Sequence, residues 1–218
     1  MAKSLLNLYQ KSFLSFFSSC RELYDQFYFS GGTALSEYYL QHRYSEDLDF
    51  FSENEVNSAD LNLFLTSQKN KFSADKIQYT QSFNRNIFFF SYPKSHELKV
   101  EFTYYPFVRL EKSRISGNLQ IDSVLDIAVN KTFILTQQVR GRDFFDLYMI
   151  NQKYNFDFFD LLKKARQKFD YPINYLELGK NLLKVNSFLD GPILIKEINR
   201  SMIEDYFLKL AKNLELLK

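Results

Sequence analysis

Two aspartates and a pair of glycines are the residues in this sequence best suited to chemistry. Asp47 and Asp49 alternate in the stretch "SEDLDFF", and Gly31-Gly32 precedes them in "FSGGTAL". Successive side chains of a strand point to opposite faces, so both carboxylates are expected on one face. Neighbouring carboxylates raise each other's pKa, and a divalent cation between them removes that cost. The pattern therefore indicates a Mg²⁺ or Mn²⁺ site with oxygen ligands, and an exposed acidic sheet edge is the alternative.

The diglycine lies between a short strand, "QFYFS", and a helix predicted over Thr33–Gln41. Glycine lets the backbone approach an anion closely, and a helix N-terminus presents unpaired N–H donors that favour phosphate. An ordinary strand-to-helix turn would use the same residues. Because the acid pair follows after one helix, a phosphate cradle and a metal site are predicted at neighbouring strand ends.

Composition excludes several classes of protein. The chain has 218 residues, with 45% hydrophobic and 25% charged residues and a net charge of +2, so it is not a polycationic nucleic-acid binder. A single cysteine excludes an internal disulfide framework and a cysteine-rich zinc site. With only two histidines in addition, the composition also argues against a histidine-based metal cluster. Neither a signal peptide nor a membrane span is indicated, so a cytoplasmic location is predicted. The 24 Phe and 15 Tyr are assigned to core packing.

Periodicity predicts a mixed α+β half followed by a helical half. Helices are predicted over residues 4–18 and 58–70, the latter capped by Asn57 or Ser58. Strands are predicted for "EDLDFFS", "DKIQYT", "RNIFFFSY" and "ELKVEFTYYP", with the last three as antiparallel neighbours. The character of the sequence changes after Pro106. Residues 122–138 and 142–152 are predicted to be helical, as is almost everything onward to Lys218, with breaks near "DYPIN" and "DGP".

The glycines and acids also carry a resemblance to a known family. Gly31 to Leu35, Arg43, Ser45 and the run from Asp47 to Phe50 resemble the opening signature of the AbiEii/AbiGii-type nucleotidyltransferase toxins, within the DNA polymerase β-like superfamily. The resemblance implies a nucleotidyltransferase-like mixed sheet with flanking helices, two divalent metal ions and transfer of a nucleotide from an NTP. It also implies the domain division predicted here, with a catalytic domain at 1–110 and a helical domain at 111–218.

The same resemblance implies a third carboxylate on a later strand. Glu101 alternates with Val100 and Phe102 in "ELKVEFTYYP", so it is expected to project from one face and serve as that ligand. The solvent face of a sheet is the alternative. Gly31, Gly32 and Thr33 are implied to bind the nucleotide phosphates.

The helical half offers a further candidate, Lys131, which falls within the apolar stripe of "DSVLDIAVNKTFILTQQ". A lysine directed inward needs a partner, unless its stem packs and its ammonium reaches water. The resemblance implies that Lys131 contacts the nucleotide phosphates.

Three further candidate residues lie downstream in the charged stretch "VRGRDFFDLYMI", namely Arg142, Asp143 and Asp146. They resemble the closing motif of the family and are predicted to orient Lys131 or to touch the nucleotide. The alternative is a charge cluster at a helix start, and Asp146 is the harder of the aspartates to explain that way. Arg43 is predicted to contact phosphate or to orient the acid strand, with a solvent-exposed arginine as the alternative. Ser45 is predicted in the nucleotide site or as a turn residue.

The predicted function is metal-dependent transfer of an NMP from an NTP, with RNA at a tRNA end as acceptor and a toxin role beside a cognate antitoxin. A catalytically inactive nucleotide- or partner-binding protein is one alternative, and transfer to a small molecule is another. Asp47, Asp49, Glu101, Lys131 and Asp146 are the predicted catalytic residues.

Overall fold

The computed structural model describes residues 4–187, 191, 193–195 and 198–214. The chain forms two compact units, one of residues 1–39 and 45–123 and the other of residues 40–44 and 124–218. The first unit contains the sheet and the second is helical, which confirms the α+β class predicted from periodicity.

The sheet of the first unit has seven strands in the order β3-β4-β5-β2-β1-β7-β6. The strands are β1 (Tyr28–Ser30), β2 (Leu48–Ser52), β3 (Lys76–Ser82), β4 (Arg85–Tyr92), β5 (His96–Tyr104), β6 (Arg114–Ser116) and β7 (Leu119–Ile121). β3, β4 and β5 are antiparallel neighbours, as predicted. The central strand β2 is antiparallel to β1 and parallel to β5, while β7 is parallel to β1.

Helices α1 (Leu8–Ser19), α2 (Arg21–Tyr24), α4 (Ser58–Ser67) and α5 (Lys69–Phe72) also belong to the first unit. α3 (Gly31–Leu35) continues directly into a π-helical turn, Ser36–Leu40. α1 begins at Leu8 rather than at residue 4, because Asn7 and Gln10 form a capping box. Asn57 caps α4 by accepting from two backbone N–H groups, as predicted.

Aromatic rings form the core beneath one face of the sheet. Phe50 of β2 stacks on Phe102 of β5 with ring centroids 5.0 Å apart, and on Phe17 of α1 at 4.3 Å. All three side chains are fully buried. Since Phe50 and Phe102 alternate with Asp49 and Glu101, packing this face fixes the acids on the other face.

The second unit contains α6 (Val124–Leu135), α7 (Gly141–Tyr154), α8 (Phe158–Phe169), α9 (Tyr175–Leu183) and α10 (Arg200–Leu214). The interval between α8 and α9 contains the break predicted at "DYPIN". The other predicted break, "DGP", lies outside the described residues except for Gly191. The part predicted as a helical domain, 111–218, is not helical throughout, because β6 and β7 form a hairpin there.

Candidate active site

Two of the predicted metal ligands lie side by side on neighbouring strands. Asp49 of β2 is directly opposite Glu101 of β5 in the parallel register, so both side chains project from the same face. Asp47 precedes β2, and Lys99 Nζ lies 3.2 Å from Asp47 Oδ2 and 3.4 Å from Glu101 Oε2. We call Asp47, Asp49 and Glu101 the acid cluster.

Two cations compensate the acid cluster, and the sequence interpretation assigned neither to the site. Arg85, at the start of β4, donates from Nε and one terminal nitrogen to the two oxygens of Glu101, at 2.5 and 2.6 Å. Thr103 Oγ1 also donates to Glu101. Burial would raise the pKa of the Glu101 carboxyl, but the hydrogen bonds and charge of Arg85, with Lys99, lower it overall. Glu101 is therefore a buried, ionised group held in one orientation.

One of these cations, Lys99, has a local signal in the sequence, and the other, Arg85, has none. Lys99 and Glu101 are spaced i and i+2 on β5, so both side chains project from the same face of the sheet. This spacing is the local signal for Lys99. Burial would lower the pKa of Lys99, but the charges of Asp47, Asp49 and Glu101 raise it overall. Arg85 could not be found locally, because only the β4–β5 pairing places it opposite Thr103.

Gly31 occupies a position that a side chain would disrupt. Its φ is +75°, which is the left-handed region, and an added Cβ would overlap the carboxylate of Asp49 and lie 3.0 Å from its Cβ and Cγ. Thr33 is buried, and its hydroxyl donates to the backbone carbonyl of Asp47. The diglycine turn therefore packs directly against the acid pair and fixes the chain leading into β2.

Gly31→Ala should reduce catalysis far more than a glycine replacement with similar backbone strain. Gly117 provides the matched control, because its φ is +61° but nothing lies within 4 Å of an added Cβ. Each alanine should cost about 1–2 kcal/mol of stability for the left-handed backbone. Only Gly31→Ala displaces Asp49, and misplacement of a catalytic group by about 1 Å can cost about 10²-fold in rate. Thermal melting with transfer rates for both variants measures the two effects, and equal rates would contradict this role of Gly31.

The donor chemistry of the acid cluster suits a divalent cation. Asp47 and Asp49 supply the hard oxygen ligands that Mg²⁺ prefers, and the missing side chain of Gly31 leaves room at Asp49. Glu101 differs, because Arg85 engages both of its oxygens. Within the described part of the chain, no three His, Cys, Asp or Glu side chains are arranged as a metal centre. The fit to a cation therefore rests on the two aspartates.

The second unit holds a separate group of buried charges. Lys131 of α6 lies 2.8 Å from Asp143 Oδ1 and 2.7 Å from Asp146 Oδ2, both on α7. Arg43 binds Asp146 through two hydrogen bonds of 2.7 and 2.8 Å, and His42 Nε2 lies 2.7 Å from the same carboxylate. We call these five residues the buried charge network.

The burial of the charged residues in this network decides between alternatives that the sequence left open. Lys131 is 6% exposed and paired, so its ammonium does not escape to solvent. Arg43 is 3% exposed, so the interpretation of a solvent-exposed arginine is wrong. Asp143 and Asp146 are fully buried, which a simple charge cluster at a helix start would not require. Burial would raise the pKa of Asp146, but Lys131, Arg43 and His42 hold it well below the ordinary value.

Other predicted residues have ordinary positions. Arg142 is half-buried, and in the described part of the chain Arg140, not Arg142, forms the ion pair with Asp143, at 2.9 Å. Ser45 is half-buried, and its carbonyl accepts a hydrogen bond from Gln10. His42 is not predicted as a site residue, because its pairing with Asp146, 104 residues away, has no local signal in the sequence.

Solved structures share this architecture. JHP933 from Helicobacter pylori is similar with a TM-score of 0.60 at 19% identity, covering 97% of this chain and 93% of that one. MenT4, a nucleotidyltransferase toxin from Mycobacterium tuberculosis H37Rv, is similar with a TM-score of 0.52 at 14% identity, covering 87% and 75% respectively. The mixed sheet and its helices thus define a nucleotidyltransferase fold.

The family follows from the sequence match. Residues 14–209 match the family described as nucleotidyl transferase AbiEii toxin, type IV TA system, and the chain belongs to that family. An uncharacterized protein of Aquifex aeolicus (strain VF5) is 31% identical over 147 residues, which cover 66% of this chain and 67% of the relative. The match confirms the family resemblance predicted from the glycine and aspartate motifs, and it assigns the chain to a family of nucleotidyltransferase toxins. Through the described residues, no helix has the length and apolarity to cross a bilayer.

Proposed function

We propose that this chain transfers a nucleoside monophosphate from an NTP to a hydroxyl of RNA, at a tRNA end, and acts as the toxin opposite a cognate antitoxin. The observation that carries the proposal is Asp49 directly opposite Glu101, against the Gly31 turn. Membership of the AbiEii family supports the reaction class and the toxin role.

The proposed reaction forms a bond between the acceptor oxygen and the α-phosphorus of the NTP. The bond from the α-phosphorus to the bridging oxygen breaks, pyrophosphate leaves, and the acceptor proton passes to solvent. Mg²⁺ or Mn²⁺, when held by Asp47 and Asp49, would stabilise phosphate charge and lower the pKa of the acceptor hydroxyl, while Glu101, whose two oxygens are bound by Arg85, would act as a ligand only if Arg85 gave way. The protein contributes mainly positioning and electrostatic stabilisation, as is general for this chemistry.

The chain's own residues support that reaction in distinct ways. Gly31 and Gly32 allow the backbone to approach the phosphates, and Thr33 holds the segment that carries Asp47. We assign Lys131 to the charge that develops on the leaving pyrophosphate. Asp143 and Asp146 hold its ammonium in place. Because Asp146 also binds Arg43 at two nitrogens, Arg43 is proposed to orient this group.

Label transfer from each of the four NTPs to total RNA tests the proposal. With Mg²⁺ present, α-phosphate label should appear in RNA, while γ-phosphate label should appear only in pyrophosphate. Nuclease mapping of the labelled RNA should place the added nucleotide at a tRNA end. The Asp47→Asn/Asp49→Asn double variant is the control for contaminating polymerases. Label in RNA that is unchanged in the double variant, or label absent from RNA for every NTP, would refute the proposal.

One observation favours a second candidate, nucleotide binding without turnover. Arg85 and Lys99 already compensate Glu101, so the acid cluster is stable without added cations. Calorimetry with each NTP and Mg²⁺, combined with the label assay, distinguishes this candidate from the proposed transferase. Binding of an NTP without release of pyrophosphate would identify a protein that binds nucleotide without turnover. Small hydroxyl compounds added as acceptors test the third candidate, because label in them but not in RNA would identify a small-molecule transferase.

A further inference from the structure

The hairpin between β3 and β4 carries at its turn a phenylalanine that is almost fully exposed. Ser82 pairs with Arg85, so Phe83 and Asn84 form a two-residue turn. Phe83 is 96% exposed, which is higher than for any other exposed large apolar residue in the described chain. A phenylalanine in this position gains almost no burial energy, so the packing of the fold does not explain it.

The backbone of Phe83 adds a second cost. Its φ is +50°, in the left-handed region, where a bulky residue is a genuine outlier. Two-residue hairpin turns favour glycine, asparagine or aspartate at such positions. Strained backbone of this kind persists where the surrounding structure enforces it, and it concentrates at binding and active sites.

The turn is fixed to β5, the strand that carries Glu101 of the acid cluster. The backbone N–H of Tyr104 donates to the carbonyl of Asn84 at 2.9 Å, which joins the turn to the end of β5. Arg85, two residues from Phe83, binds both oxygens of Glu101. Phe83 is two residues beyond Arg85, whose partner Thr103 is two residues from Glu101, so strand spacing places Phe83 roughly 14 Å from Glu101. The turn that carries the ring is thus anchored beside the strand that holds Glu101.

The surroundings of the ring indicate its ligand. Gln81, Ser82 and Asn84 are exposed and polar, so the ring stands alone rather than within the larger apolar patch that marks a protein-docking surface. A nucleobase needs only one aromatic face, and a nearby cation suits the adjoining phosphate. Arg85, with its side chain 49% exposed, supplies that cation.

We propose that Phe83 stacks on a base of the acceptor strand and so holds a single-stranded polynucleotide end beside the acid cluster. The inference rests on the proposed function, in which the acceptor is RNA. It names a specificity element, because stacking accepts any base but requires one that is unpaired. Phe83 is therefore a contact for the acceptor and not for the NTP phosphates.

Replacement of Phe83 should weaken acceptor binding without loss of folding. Phe83→Leu and Phe83→Gly should raise the KM for RNA by roughly 5- to 150-fold, the range for loss of one stacked base, and leave the KM for the NTP unchanged. Phe83→Trp should keep the wild-type KM. Phe83→Gly should melt no lower than wild type, because glycine relieves the positive φ. Leu63→Ala, which removes an apolar side chain that is 72% exposed on α4, is the matched control and should change neither KM.

A binding measurement separates failure of this inference from failure of the proposed function. A single-stranded oligoribonucleotide with a fluorescent adenine analogue near its 3′ end should be quenched by wild type and by Phe83→Trp, but not by Phe83→Leu. Quenching that depends on Phe83, in a protein that transfers nothing to RNA, would support the contact and refute the activity. Transfer to RNA with equal KM and equal quenching in wild type and Phe83→Leu would overturn the contact.

Discussion

Asp49→Asn should reduce nucleotidyl transfer by at least about 10²–10³-fold, the range for loss of one preorganised electrostatic group. Asparagine keeps the size of the side chain but removes the charge that, in the proposed reaction, would hold a divalent cation. The effect should fall on kcat, because the charge acts mainly on the phosphates as the α-phosphorus reacts. Transfer of α-labelled NTP to RNA under saturating conditions measures it.

The fold should survive this change. Asp49 lies in a group of three carboxylates beside Lys99, so removing one negative charge also removes repulsion. The melting temperature of Asp49→Asn should therefore equal or exceed that of wild type. Asp25→Asn is the control: Asp25 pairs with Arg21 on the surface of the same unit, and its loss should leave transfer unchanged. Wild-type transfer by Asp49→Asn would contradict the assignment of the acid cluster.

Asp146→Ala should cause a large loss of stability in the second unit. The change leaves Arg43 and Lys131 buried beside the space of the lost carboxylate, and His42 loses the same partner. Removing one partner from a buried ion pair costs about 3–5 kcal/mol. Urea unfolding followed by circular dichroism measures the difference. Asp160→Ala, which breaks the exposed pair with Lys164, is the control and should cost no more than about 1 kcal/mol.

Acid pH should cancel this difference. The pKa of Asp146 in the folded protein lies well below its ordinary value, so its contribution to stability is complete above about pH 4 and is lost as pH falls through the lowered value. Asp143, whose pKa is also lowered, adds to the same trend. The difference in unfolding free energy between wild type and Asp146→Ala should therefore narrow as pH falls below about 4. A gap independent of pH would indicate that packing, not charge, accounts for the loss.

The sequence predicted what local periodicity controls. Alternation placed Asp49 and Glu101 opposite the apolar side chains of their strands, and burial of Phe50 and Phe102 enforces that arrangement. The apolar stripe around Lys131 indicated that it needs a partner, and the partners are found on α7. These inferences depended only on the residue periodicity within a single strand or a single helix.

The rest depended on pairings between distant segments. Arg43 and Asp146 are 103 residues apart, and no local pattern relates them. The β6–β7 hairpin was missed because its three-residue strands are shorter than the alternation needed to recognise a strand. The helix predicted from residue 122 begins at Val124, since the side chain of Asp122 accepts a hydrogen bond from Ser30 instead.

The parallel pairing of β2 with β5 has a consequence for the order of events during synthesis. Asp49 and Glu101 become neighbours only after the chain has been made through β5, and β1 gains its parallel partner β7 later still. Pairings of such high contact order form slowly, since a long loop must close before they contribute. A nascent chain on the ribosome therefore holds both aspartates without Glu101 beside them until about half of the 218 residues have been made.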